Sequence, residues 1–160
     1  MKESLRYLNN AKEILKSAPF EDGTYTDIKP VREACGTAYL AVLMAIDEYL
    51  LKLGVSQEKL PTSVDGYRKA LQKYLSIRDG KLLRSFEALY NELHIAGHYR
   101  GLLRQVNVVR EVLKSVKAFI EKIELTLRLP GLKAGALLRV HPEGRFSLRL
   151  KRGSFAPPNG

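Results

Sequence analysis

The chain holds one cysteine, Cys35, in 160 residues. A single thiol cannot close an intrachain disulfide or build a thiolate metal site, and Cys35 stands on an apolar helical stripe, where it reads as a small core residue. An apolar leader is also missing. The opening MKESLRYLNNAKEILK is charged and amphipathic, so no secretion signal is expected and the reading is cytoplasmic. The uncharged stretch from Ala34 to Ile46 has thirteen residues, too few to span a bilayer, and Asp47 and Glu48 follow at once. No membrane partner is expected. There is no Gly-x-Ser-x-Gly elbow, no phosphate-cradling glycine loop, no dinucleotide fingerprint and no internal repeat. Nucleophilic hydrolases and nucleotide-cofactor enzymes therefore have no sequence support, and no cofactor is expected.

What is present is apolar content and positive charge. Hydrophobic residues make up 45% of the chain, enough for one domain with a real core. The net charge is +10, and residues 129 to 160, a fifth of the length, carry half of it with six Lys or Arg against one Glu. A basic end of this kind is a solvated tail or attracts an anionic partner.

The centre of the chain is Pro30 to Gly54. Val31, Cys35, Ala38, Val42, Ala45 and Tyr49 recur at alternating steps of four and three, and Tyr39, Leu43, Ile46, Leu50 and Leu53 do the same beside them. The two stripes merge into an apolar arc that predicts a central helix, with Asp27 as its cap, Pro30 in its first turn and Gly54 as its left-handed stop. Leu40, Met44 and Leu51 add apolar groups on the side expected to face water beside Asp47. They are read as a dimer interface.

Around this helix the periodicity predicts others: one from Lys2 to Ala18, a shorter one capped by Thr62 or Ser63, one carrying Leu82, Phe86, Leu89, Tyr90, Leu93 and Gly97 after a break at Asp79-Gly80, and a last one starting near Asn107. The last has the most regular seam, Val106, Val109, Leu113, Val116, Ile120, Ile123 and Leu127. Phe20 to Lys29 reads as a loop with a turn at Asp22-Gly23. The expectation is an all-α, antiparallel, up-and-down bundle of four to five helices over 1–128, then a basic extension over 129–160. In that extension Leu138 and Val140, then Phe146, Leu148 and Leu150, alternate with basic residues as in a β-hairpin, and the end is expected to be mobile. Arg139, Arg145, Arg149, Lys151 and Arg152 are its candidate nucleic-acid contacts.

The informative polar residues lie in Asn91-Glu-Leu-His94-Ile-Ala-Gly-His98-Tyr-Arg100. On a helix His94 and His98 stand one turn apart, a spacing at which two imidazoles can hold a metal, and Glu87 lies two turns before His94. The glutamate that zinc proteases place directly after the first histidine is missing, and no fourth ligand is visible, so the expected reading is a hydrogen-bonded pair beside the core with no metal. Tyr39, Tyr49, Tyr67, Tyr74 and Tyr90 fall on helical core positions and read as amphipathic packing.

The segment Ala34-Cys-Gly-Thr-Ala-Tyr39-Leu-Ala-Val-Leu-Met-Ala45-Ile-Asp-Glu-Tyr-Leu-Leu-Lys-Leu-Gly54 resembles the second helix of HEPN domains. LRYLNNAKEIL and HYRGLLRQVNVVREVLKSVKAFIEKI resemble that family's first and last helices. The resemblance covers about 1–128. It implies an antiparallel bundle, commonly a homodimer, working beside a nucleotidyltransferase or as an RNA-cleaving toxin. In the nuclease members an Arg, often followed by Asn, precedes a His by four to six residues; the Arg steadies phosphate charge and the His moves protons for attack by the ribose 2′-OH. In this chain Asn91 with His94 or His98 occupies the equivalent stretch, Tyr90 stands where the Arg would be, and Arg100 follows the histidines. The leading expectation is thus a non-catalytic, dimeric interaction module with a protein partner such as a nucleotidyltransferase. Two alternatives stand beside it: an RNase or nucleotide-handling enzyme that uses Asn91, His94, His98 and Arg100, and a protein that binds RNA or another anionic ligand through the basic extension.

Overall fold

The computed structural model describes residues 2–75 and 80–128 in full and, of the remainder, the backbone of 137–140 and 146–149. The chain divides into two compact units, Met1–Arg128 and Leu129–Gly160. The first is an all-α helical bundle with five α-helices among the described residues: α1 (Lys2–Lys16), α2 (Ile28–Lys52), α3 (Val64–Tyr74), α4 (Lys81–Leu89) and α5 (Val106–Arg128). In the second, β3 (Leu137–Val140) pairs antiparallel with β4 (Phe146–Arg149), Leu138 opposite Leu148 and Val140 opposite Phe146. Arg139 stands opposite Ser147 in that register and Arg149 opposite Leu137. Arg145, Lys151, Arg152 and the expected mobile end lie outside the described residues, as does Asp79.

α2 is central for the reason its sequence suggests. Val31, Ala34, Ala38, Ala41, Val42, Ala45 and Ile46 are fully buried, and its small side chains let neighbouring helices approach closely. Its ends are set locally: the Asp27 carboxylate accepts from Lys29 N at 2.9 Å, and Gly54 takes φ +86°, a conformation that costs glycine little. By length and composition α2 is also long and apolar enough to cross a membrane, which the thirteen-residue count misses because Tyr49, Leu50 and Leu51 resume the apolar run after Asp47 and Glu48. The bundle already covers 61% of that apolar window. It is the core helix.

α1 makes the most extensive packing with α2. It is aligned by a contact that periodicity does not reveal: Glu48 on α2 accepts from Glu3 N at 3.0 Å and from the fully buried Ser4 hydroxyl at 2.8 Å, placing a carboxylate at the positive end of α1. α5 buries the expected seam from Val106 to Ile123, along with Val112 and Phe119, and only Leu127 is left half-buried. The Ser63 hydroxyl caps α3 by accepting from Gly66 N at 3.1 Å.

Two expectations are corrected here. Residues 20–25 are a minimal hairpin, β1 (Phe20–Glu21) and β2 (Thr24–Tyr25), turned by Asp22 at φ +47° and Gly23 at φ +73°. Two residues per strand cannot persist alone. They persist because the start of α5 pairs with them, Tyr25 N donating to Arg104 O at 2.8 Å and Val106 N to Gly23 O at 2.9 Å, a partner about eighty residues away in sequence.

Asp47 does not face water. It is 8% exposed, and its Oδ2 accepts from the Tyr67 hydroxyl at 3.0 Å, because α3 folds over that side of α2. Burial holds its pKa above the usual 3.8, against the smaller opposing effect of the Tyr67 hydrogen bond. The folded state therefore keeps the Asp47 proton to higher pH than the unfolded chain does, and stability contributed by the neutral form is lost as pH rises through the raised value. Asp47→Asn cannot ionise. The melting temperature of the variant relative to wild type should accordingly climb as pH rises above about 4; a difference that stays level as pH rises would refute the assignment.

Candidate functional site

The helix that follows Gly80 does not stay α-helical. After α4 the backbone widens into a π-helix over Tyr90–Tyr99, closing with Arg100 N on Ile95 O at 2.9 Å. π-turns are rare and concentrate at functional sites. This one lies directly on α2, and two glycines set how closely. A Cβ on Gly97 would sit 2.6 Å from Cys35 Sγ, and one on Gly36 would sit 2.8 Å from His98 Nδ1. Only hydrogen at both positions permits this approach.

On this segment Tyr90, His94 and His98 stack into a column, with ring centroids 5.5 Å apart for the first pair and 6.1 Å for the second. Tyr39 of α2 completes it, 5.9 Å from Tyr90 and 5.0 Å from His94. Two arginines flank the column. Arg68 on α3 lies over the Tyr90 ring, 5.4 Å from its centroid, and grips Glu87 with two bonds of 2.6 and 2.9 Å while also reaching Asp65 at 2.7 Å. Arg32 on α2 donates to the carbonyls of His98 at 2.8 Å and Tyr99 at 3.2 Å. His98 Nδ1 faces Arg32 O at 3.0 Å, and since a carbonyl only accepts, this bond is made with the proton on Nδ1.

The electrostatics follow from this packing. The Arg68 hydrogen bonds hold the Glu87 carboxyl below its usual range. The Tyr39 hydroxyl is buried and meets no partner among the described residues, and burial, reinforced by the Tyr90 phenol, pushes its pKa up to about 12. Burial also pushes the Cys35 thiol up to about 11, so it is protonated and unreactive at neutral pH.

His94 and His98 come together, as their spacing of one helical turn predicts. Glu87 does not join them, since both its carboxylate oxygens accept from Arg68. Among the described residues no group of three or more His, Cys, Asp or Glu is placed to hold a metal. Asn91 is exposed and stands outside the ring column. Arg100 is exposed, and its guanidinium makes no hydrogen bond or ion pair among the described residues. The arginines beside the rings are Arg32 and Arg68, which no spacing within the histidine segment could have indicated because they belong to other helices. Tyr39 and Tyr90 were legible as packing residues; their stacking on the histidines was not.

The second candidate surface is on α2. Leu40 is 44% and Leu51 is 40% exposed, with Met44 half-buried between them.

The sequence pattern of the family described as "Domain of unknown function (DUF5618)" matches residues 1–125. This chain belongs to the DUF5618 family. The match spans α1 to α5 and so includes the ring column and the apolar stripe of the DUF5618 bundle. A solved structure of a protein of unknown function from Dyadobacter fermentans is similar, with 35% identity and a TM-score of 0.64, over 77% of this chain and 92% of that one. No curated protein matches the chain.

Proposed function

We propose that the 1–128 bundle is a HEPN-like, non-catalytic interaction module that pairs with a second copy through the stripe Leu40, Met44 and Leu51. The carrying observation is the exposure of those leucines on the helix that otherwise forms the core, where covering the part of each still open to water would contribute about 1 kcal/mol. The state of the polar groups around the histidines supports the non-catalytic part. Arg32 and Arg68 are engaged with carbonyls and carboxylates of the fold, so neither of the two arginines that flank the ring column is free to stabilise phosphate charge.

Leu40→Glu/Leu51→Glu tests the pairing. In sedimentation at micromolar concentration the wild type should run as a dimer and the double variant as a monomer with an unchanged far-UV spectrum. A monomeric wild type rejects the reading.

A second reading, an RNase, is favoured by one feature: the exposed His98 ring, held through Nδ1 on Arg32 O, an imidazole being a group able to take a proton from a 2′-OH. Incubation with total RNA decides it. Cleavage by the wild type that falls at least a hundredfold in His98→Ala, in line with the usual worth of a general base, would replace the non-catalytic assignment; equal cleavage or none in both supports it.

A further inference from the structure

We propose that the cleft between the end of α2 and α3 binds a small amphiphilic anion, a carboxylate or phosphate head on an apolar body. The cleft is an open groove with a volume of about 700 Å³, within the usual range for small-molecule sites. It is distinct from the ring column and from the α2 stripe, and it does not depend on the pairing proposed above.

The lining divides by chemistry. Leu50, Val55, Pro61, Ala70 and Tyr74 supply an apolar floor, with Leu50 buried and Leu53 at the rim 48% exposed. Lys59, Lys69 and Lys73 surround it, and none of the lining residues is an Asp or Glu. Lys69 and Lys73 stand one turn apart on α3, where like charges repel, so the helix concentrates positive charge against its local preference. Lys73 Nζ lies 4.9 Å above the Tyr74 ring, an arrangement that fixes the ammonium over the apolar wall. Ser56 lines the cleft as well, and its side chain makes no cap bond to the short 3₁₀ turn Gln57–Lys59 that it precedes. Its hydroxyl is a neutral donor for the same head group.

Three exposed ammonium groups without a carboxylate among the lining residues favour an anion, since a cluster of like charges is stabilised by a counter-charge brought close to it. The floor calls for an apolar body attached to it. A bare inorganic anion would leave the floor wet, and a neutral hydrophobe would leave the lysines unpaired.

The test titrates the purified full chain with monomeric decanoate by calorimetry and by amide chemical-shift mapping. Decyltrimethylammonium serves as the probe with the opposite head, acetate as the head without the tail, and phosphatidylglycerol vesicles as the membrane form of the same chemistry. Saturable decanoate binding with shifts confined to residues 50–56 and 59–74 is expected, at least tenfold tighter than acetate and without binding of the cationic probe. Lys69→Glu/Lys73→Glu should weaken decanoate at least tenfold, and Lys59→Gln, which leaves α3 untouched, should weaken it by a smaller factor. Equal affinity of wild type and both variants, equal binding of the cationic probe, shifts elsewhere on the bundle, or binding only to vesicles would each overturn the proposal.

Discussion

Replacing Phe86 by alanine is expected to lower the unfolding free energy by about 3–5 kcal/mol. Phe86 is completely inaccessible to solvent and stands among the largest fully buried side chains. It belongs to α4, a helix of nine residues whose N-cap, Gly80, provides no side-chain bond. A helix this short has little stability of its own and is held by what it buries. Phe86 faces the Tyr67 ring at 6.4 Å, and α4 packs on α2, α3, α5 and the π segment, so the cavity left by alanine would be walled by four elements that cannot all close in. Urea denaturation monitored by far-UV circular dichroism measures the loss. A value under about 1 kcal/mol would show that the site collapses around alanine and that α4 does not depend on this ring.

The second large effect is expected at Gly97. In an ordinary α-helix, alanine would be favoured over glycine by about 0.8–1.0 kcal/mol. Here the added Cβ would lie 2.6 Å from Cys35 Sγ, 2.9 Å from Cys35 Cβ and 3.1 Å from Glu92 O. The first atom is a short side chain and the last is backbone, so neither can move far. Overpacking of this kind costs about 1–3 kcal/mol and outweighs the gain in propensity. Gly97→Ala should therefore destabilise. Cys35→Ala removes Sγ while leaving Cβ, and in the double variant it should recover part of the loss. The measurement is a double-mutant cycle of urea unfolding free energies, in which a coupling above about 0.5 kcal/mol is expected for groups in contact. Strict additivity would mean that α2 and the π segment do not approach as closely as the structure has them.

These two residues also mark where sequence reasoning reaches and where it stops. Phe86 was legible as a core residue, since its spacing from Leu82, Leu89 and Leu93 follows one helical face. Gly97 was read only as a member of that face. Its actual role depends on Cys35, more than sixty positions earlier, and on a widening of the backbone that α-helical periodicity does not express. The same distinction separates His94 from its neighbours. That His94 and His98 share a face follows from their spacing; that Tyr39 packs on one of them and Arg32 bonds to the other follows only from α2 lying against their segment. The exposed leucines of α2 were legible too, but Asp47, assigned to their wet side, was not: its burial is the work of Tyr67 on α3.

Glu87 shows how spacing along one helix leaves out a competing partner on another. Its distance from His94 suits a metal ligand on one helix, yet Arg68 lies within reach from another helix and offers two charge-assisted bonds, which a carboxylate next to an arginine accepts in preference to waiting for a cation. Competition of this kind is set by the packing of α3 on α4.

By itself the sequence determined the helices, their caps, the central place of α2 and the seam of α5, because each depends on interactions within a few residues or on a repeat that a helix turns into a face. The tertiary structure alone decided the π segment, the ring column with its two arginines, the burial of Asp47 and the small hairpin at Gly23. All four rest on groups brought together from separate helices, and a one-dimensional pattern carries no term for the distance between them.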